Sequence, residues 1–359
     1  MERVLVAMSG GVDSSVTAAL LKKEGYEIVG GTMKIFPDYE QSTNDEDECC
    51  SLTAVEDAKR VAKKLNIPHY TFNLKEVFQN KVIDNFVEEY SNARTPNPCV
   101  ICNKEIKFKA LLQKALELDA DYIATGHYAK IVHNKEGRHL LKKAEDDDKD
   151  QSYMLYGFTQ FQLEHTLMPL GNYNKNKVRK IAGDLDFKIH NKPDSQEICF
   201  VPDDNYTRFL DENYSKVGKK GPILDTSGQK LGEHEGLYNY TIGQRRGLGI
   251  SLNHPVYVVG FDRNKNALIV GKNEEVFKKG LWAEELNWII FDSLNQDIEV
   301  KAQIRYNSPP VDAKIYPGKG KMVKVLFDEK QRAITPGQSV VFYNNDIVVG
   351  GGIIKSSFG

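Results

Sequence analysis

Val4-Leu5-Val6-Ala7-Met8 is an unbroken apolar run too short for a helix; polar, glycine-rich residues follow at once, then Val16-Thr17-Ala18-Ala19-Leu20-Leu21. That order predicts a buried strand, a turn and a helix. The rhythm repeats, with a strand over Glu27–Met33, an amphipathic helix over Ser51–Leu65, and strands over His69–Leu74 and Asp121–Gly126. Strands alternating with helices imply a parallel sheet with helices on both faces. In such sheets ligands sit beyond the carboxyl ends of the strands, where Met33 and Gly126 fall. Met33 is expected against an adenine and Gly126 is expected to leave room for a nucleotide; ordinary core and an ordinary turn are the alternatives.

Beyond residue 203 the pattern changes. Asp204–Asn213 reads as a short helix, and Gly218–Gly221 and Asp225–Gly228 as turns, giving a small glycine-rich central domain. Gly243–Gly249 predicts backbone packed closely against a neighbour, with RNA the candidate. Alternation over Ala267–Val270, Val300–Tyr306, Lys321–Phe327, Ser339–Tyr343 and Asp346–Ile354 predicts a small closed β-barrel. The expected division is 1–203 for the α/β domain, 204–254 for the central domain and 255–359 for the barrel.

A chain of 359 residues is long for one core, which agrees with that division. The formal charge of −2 gives no whole-molecule attraction to a polyanion. Nucleic-acid contacts must therefore come from local basic patches: Lys175, Lys177, Arg179 and Lys180; Lys216, Lys219 and Lys220; Arg245 and Arg246. With no run of eighteen apolar residues and no signal-peptide pattern, a cytoplasmic protein without a membrane partner is expected. Five cysteines in a reducing compartment point to reactive or metal-binding thiols rather than structural disulfides. The acidic stretch 36–50 ends in Cys49-Cys50, and adjacent cysteines seldom both reach one tetrahedral ion, so no zinc site is expected there.

Three stretches carry chemistry. Ser9-Gly10-Gly11-Val12-Asp13-Ser14-Ser15 lies between the first strand and the first helix, where hydroxyls, glycines and free amides form an anion site. No Gly-x4-Gly-Lys-Ser/Thr occurs, so this is not a Walker loop. A carboxylate beside phosphate oxygens repels them unless a cation intervenes, so Asp13 implies a shared Mg2+. Arg94–Phe108 contains Cys99-Val100-Ile101-Cys102; with Asn103 as N-cap, Cys102 stands at a helix start near Lys104 and Lys107, a setting that favours the thiolate. Half a zinc site is the alternative for this Cys-x-x-Cys. In Lys192–Pro202, Cys199 lies between Ile198 and Phe200 and reads by itself as packing. Beside a nucleotide loop and a reactive Cys102, it suggests sulfur delivery to a carbonyl carbon.

The first loop resembles that of the N-type ATP pyrophosphatases (PP-loop enzymes), which split ATP into AMP and pyrophosphate. The loop taken together with Asn97–Phe108, Ala124–Ala129, Lys149–Tyr153, Ser195–Phe200 and Gly243–Gly249 closely resembles the bacterial tRNA-specific 2-thiouridylases over nearly the whole chain. The resemblance implies ATP-dependent replacement of the 2-oxygen of a tRNA wobble uridine by sulfur. It implies ATP at Ala7, Met8, Ser9, Gly10, Gly11, Val12, Asp13, Ser14, Met33 and Gly126. It makes Cys199 the carrier of a persulfide received from a cysteine desulfurase or sulfur-relay protein, and Cys102 the nucleophile that leaves a Cys102–Cys199 disulfide. Its tRNA contacts are Asn97, Pro98, Cys99, His127, Lys149, Asp150, Gln151, Arg305 and Tyr306. Many family members carry Asp where this chain has Cys99; three thiols, Cys99, Cys102 and Cys199, raise the alternative of an iron-sulfur cluster with one open iron. Two other readings are a different ATP-splitting ligase or amidating enzyme, which would not need the cysteines, and a non-catalytic tRNA-binding or cluster scaffold, which would not need Asp13.

Overall fold

The computed structural model describes residues 1–35, 52–135, 137–190, 192, 198–201, 203–214 and 218–359. Expectations for 36–51, including Cys49-Cys50, for Ser195–Glu197 and for Lys216 lie outside them. The chain divides into two compact units, 1–82 with 99–204 and 346–348, and 83–98 with 205–345 and 349–359.

In the first unit, β1 (Arg3–Ala7) is followed by α1 (Val12–Lys23), β2 (Glu27–Lys34), α2 (Leu52–Lys64), β3 (His69–Asn73) and β4 (Tyr122–Ala124). The strands are parallel in the order β3-β2-β1-β4, with Thr166–Leu167 beyond β4. Val4, Leu5 and Val6 are fully buried, the signature of a central strand covered on both faces. The core of Val4 and Val6 extends through Val12, Val16 and Ala18 of α1 to Val178 and Ala182 of the helix Lys175–Asp184. Because β1 runs to β2 and β3 on one side and to β4 on the other, strand order reverses at β1. The crevice for a ligand therefore opens where β1 and β4 end.

One expectation about the Cys-x-x-Cys segment is corrected. The helix begins at Pro98–Ile101, widens into a π-helix over Cys102–Leu111 and closes over Leu112–Glu117. Proline is favoured in a first turn, where its missing N–H costs nothing. Cys102 is thus past the free amides of the helix start, and Cys99 occupies that first turn instead. Asn103 is no cap: it is buried and donates its amide to Met154 O at 3.1 Å.

In the second unit, Gly221–Asp225, Lys230–His234, Tyr257–Asp262 and Ala267–Gly271 form one sheet around Ile223, Leu248, Val258, Leu268 and Val270. The strand Ala267–Val270, expected in the barrel, belongs to this sheet and pairs in parallel with Gly221–Asp225. The barrel has six strands, Phe277–Trp288, Ile298–Gln303, Val311–Pro317, Val323–Arg332, Ser339–Asn344 and Ile347–Phe358. Pairing of the first with the last closes it. The close approach at Gly243 is to protein: its carbonyl accepts from Arg332 at 3.3 Å, and a Cβ there would lie 2.8 Å from that of Ala333. Among the described residues, no helix is long and apolar enough to cross a membrane.

Candidate nucleotide and thiol site

Between β1 and α1 the backbone must turn sharply, and Gly10 does so at φ +73°. A side chain there would also strike the Ala54 carbonyl of α2 at 2.3 Å. Hydroxyls then tie the loop to itself. Ser9 N donates to Ser14 Oγ at 3.2 Å, Ser14 Oγ donates to Gly11 O at 3.2 Å, and Ser15 Oγ to the same carbonyl at 2.9 Å. Gly11 caps α1 without a side-chain bond, so the first-turn amides of Val12, Asp13 and Ser14 point where a helix start receives an anion. Gly126, just past β4, presses against this turn: a Cβ would lie 2.8 Å from Asp13 C, Asp13 Cβ and Ser14 N. Met33 lies near the end of β2, and Met8 is buried with its N–H donating to Gly31 O at 2.8 Å.

Asp13 is held from two directions. Tyr128 donates its hydroxyl to Oδ1 at 2.8 Å, and the Lys175 ammonium donates to Oδ1 at 2.9 Å and Oδ2 at 2.7 Å. Lys175, expected on a basic surface, is 8% exposed. It is the first residue of a helix capped by Asn174, and its backbone N–H donates to Asp146 Oδ2 at 2.8 Å. The cation that Asp13 needs beside phosphate is therefore present in the chain, so Asp13 alone does not require Mg2+. Its side chain remains 30% exposed, and that open side also fits a metal bound with phosphates.

The residues expected to touch tRNA divide in the structure. Gln151 grips Tyr128, donating N–H to its carbonyl at 2.8 Å and accepting its N–H on Oε1 at 3.0 Å. Asp150 accepts from Ala144 N, Ser152 N and Ser152 Oγ; burial pushes its carboxyl above the ordinary value, partly offset by those bonds. Lys149 is half-buried and donates its N–H to Asp146 O at 3.1 Å. His127 bonds Thr125 Oγ1 through Nδ1 at 2.8 Å and the Lys107 ammonium through Nε2 at 3.4 Å. An ammonium only donates, so Nε2 accepts and Nδ1 carries the proton. Burial, reinforced by Lys107, holds the imidazole well below its ordinary pKa, so it is neutral at physiological pH. Thr125 and Tyr128 lie within the Ala124–Ala129 motif without being expected as site residues, and Lys175 was expected only in a basic patch for nucleic acid.

Cys99 is exposed, while Cys102 and Cys199 are half-buried; none is in a disulfide. All three belong to the first unit. Cys199 sits in the turn closed by Val201 N donating to Ile198 O, anchored by Phe200 edge-on to Phe78 at 5.9 Å. Among the described residues, no three His, Cys, Asp or Glu side chains are gathered so as to hold a metal ion. The three thiols in this arrangement do not fit a cluster.

In the second unit, Asn97 and Pro98 end a segment fixed at Thr95 and Pro96, whose carbonyls both accept from Gln338 Nε2 at 3.0 Å. Arg305 and Tyr306 stand on a tight turn, where Ser308 donates to Arg305 O and Gln303 Nε2 to Tyr306 O. Tyr306 is among the exposed large side chains, a surface on which a base can stack.

A parallel sheet with an uncapped helix start at the reversal of strand order, and three thiols in the same unit, is the arrangement of a nucleotide-using α/β enzyme. Residues 2–203 match the model of the tRNA methyl transferase HUP domain, 207–272 that of the tRNA methyl transferase PRC-barrel domain, and 278–354 that of the aminomethyltransferase β-barrel domain. The chain is 70% identical over 358 residues to the tRNA-specific 2-thiouridylase MnmA of Halothermothrix orenii, covering 100% of both chains. It is 52% identical to the enzyme of the same name from Clostridium beijerinckii, over 99% of each. The chain belongs to the tRNA-specific 2-thiouridylase family.

Proposed function

We propose that this chain is a tRNA-uridine 2-sulfurtransferase acting in the cytoplasm. ATP lies along Ala7–Ser14 with Met33 and Gly126 about it, its phosphates on the first-turn amides of α1. The 2-oxygen of the wobble uridine attacks the α-phosphorus, the bond to pyrophosphate breaks, and the oxygen becomes part of an AMP leaving group. Bound with the nucleotide, Mg2+ would be held by Asp13 and would neutralise charge on the leaving pyrophosphate. The terminal sulfur of a Cys199 persulfide, loaded by a cysteine desulfurase or relay protein, attacks carbon 2, and AMP departs with the oxygen. The Cys102 thiolate then attacks Cys199 Sγ, so that thiolated tRNA leaves with the outer sulfur. A Cys102–Cys199 disulfide remains, and a dithiol reductant must supply two electrons and two protons to reset it.

The observation that carries this reading is the uncapped first turn of α1 against Gly126, in one compact unit with Cys102 and Cys199. Neutral His127, Asn97, Pro98, Cys99, Lys149, Asp150, Gln151, Arg305 and Tyr306 are assigned to tRNA. Of these, Asp150 and Gln151 act through the backbone they hold. Nucleotide and sulfur chemistry belong to 1–203, with the central sheet that ends at Gly271 and the barrel that begins at Phe277 gripping the substrate. The adenylation step is tested with tRNA carrying 18O at uridine carbon 2. The label should appear in AMP; label found in water or retained in tRNA would refute activation through oxygen.

A further inference from the structure

Lys175 is a charge where a folded chain has little reason to keep one. Taking an ammonium out of water is unfavourable, and a buried ion pair is often no more stable than an apolar pair of the same shape. Stability therefore gives a weak account of why Lys175, 8% exposed, lies against Asp13. Its position is fixed twice over, by the Asn174 cap on its helix and by its own N–H on Asp146, which sets the ammonium against α1 from a helix 162 positions along the chain. Asp13 is the second residue of α1, so its carboxylate belongs to the same first turn as the amides that would receive the triphosphate. Unneutralised, it would repel every phosphate brought to those amides.

We propose that Lys175 is a working part of the nucleotide site: the built-in counter-ion that makes Asp13 compatible with a triphosphate, shared with the phosphate oxygens when ATP binds. The inference rests on the reading of Ala7–Ser14 as the ATP site. It predicts discrimination by phosphate number, because AMP places no pyrophosphate beside Asp13. Tyr128 positions the same carboxylate from the other side and adds no charge.

The test is calorimetric binding of ATP and of AMP, with Mg2+ and with EDTA, to the wild-type chain, K175M, K175R and D13N/K175M. K175M should bind ATP at least thirtyfold more weakly, about 2 kcal/mol, and AMP within threefold of wild type. K175R, which keeps the charge, should recover most of that loss. D13N/K175M leaves no unpaired carboxylate, so it folds even if K175M does not; titrated in EDTA, where Asp13 has no metal to hold, it should bind ATP at least tenfold more tightly than K175M, or measurably where K175M cannot be obtained folded. K175M binding ATP within threefold of wild type, equal losses for ATP and AMP, or no ATP binding by a folded D13N/K175M would each overturn the proposal. Failure of the wild-type chain to bind ATP at all would instead overturn the reading of the loop.

Discussion

Gly126→Ala adds one methyl group at a place where the structure has no room for it. The new carbon would stand 2.8 Å from Asp13 C, Asp13 Cβ and Ser14 N, whereas ordinary contact begins at 3.4 Å. Two of those atoms are backbone and the third is rigidly attached to it, so no flexible side-chain end can swing aside. The first turn of α1 must shift, and overpacking of this kind costs about 1–3 kcal/mol. At roughly 2–4 °C per kcal/mol for a unit of this size, thermal melting should fall by several degrees. ATP affinity should fall further than stability alone requires, at least tenfold, because the displaced turn carries the phosphate-facing amides. Gly183→Ala supplies the control: nothing lies within 4 Å of its would-be Cβ, it sits in the helix Lys175–Asp184, and it should stabilise by roughly 0.4–1 kcal/mol with ATP binding unchanged. Melting by circular dichroism and calorimetric titration with ATP check both. A Gly126→Ala protein with wild-type melting and wild-type affinity would refute the close packing of β4's end on the nucleotide loop.

Tyr128→Phe keeps the buried ring but removes the donor to Asp13 Oδ1. A hydrogen bond to a charged group is worth about 1.5–3 kcal/mol, so ATP binding should weaken by roughly tenfold or more with the fold intact; unchanged binding would remove Tyr128 from the site. Gln162→Ala breaks the capping box with Thr159 and the 2.7 Å bond from Nε2 to Phe108 O. It should cost about 1–3 kcal/mol by chemical denaturation, and a loss below 0.5 kcal/mol would contradict the buried bond. His127 has a folded-state pKa below its unfolded value, so the unfolded chain binds more protons and stability falls as pH drops from 6.5 toward the depressed folded value. His69 and His139 shift the same way through burial. Melting from pH 7.5 to 5 should show this loss, reduced in His127→Gln; identical slopes would count against a neutral, half-buried His127. Binding of tRNA should weaken by roughly a thousandfold between dilute and moderate salt if six or more phosphates are contacted, and Tyr306→Ala should weaken it at every salt concentration; salt-independent binding would contradict the basic contacts.

Periodicity made the parallel sheet legible because short strand-like stretches, Val4–Met8 and Ile28–Met33, alternate with helix-like ones. What it hid depends on partners far along the chain. Lys175, Lys177, Arg179 and Lys180 look like one solvated basic face, yet the Asn174 cap turns Lys175 inward to Asp13, and Arg179 donates to the carbonyls of His190 and Lys192. Asn103 has the propensity of a cap, but its buried amide is taken by Met154 O, and the helix begins earlier at Pro98. The long barrel strand Phe277–Trp288 escaped notice because its alternation is interrupted: its register slips against both neighbours, and Glu285 adopts φ +50°. Glycines at 243–249 suggested a close neighbour, and at Gly243 that neighbour is Ala333. Tyr128 stood in plain view within Ala124–Ala129, and nothing local to it reveals that its hydroxyl reaches Asp13, 115 positions away.

The central claim is that sulfur carried on Cys199 replaces an oxygen activated by ATP. It is tested most directly by mass spectrometry of nucleosides from unmodified tRNA incubated with this protein, ATP, a cysteine desulfurase, cysteine and a dithiol reductant. Wild-type protein should yield 2-thiouridine at the wobble position, whereas Cys199→Ser, or omission of ATP, should yield none. Thiolation by Cys199→Ser at the wild-type rate, or without ATP, would contradict the account.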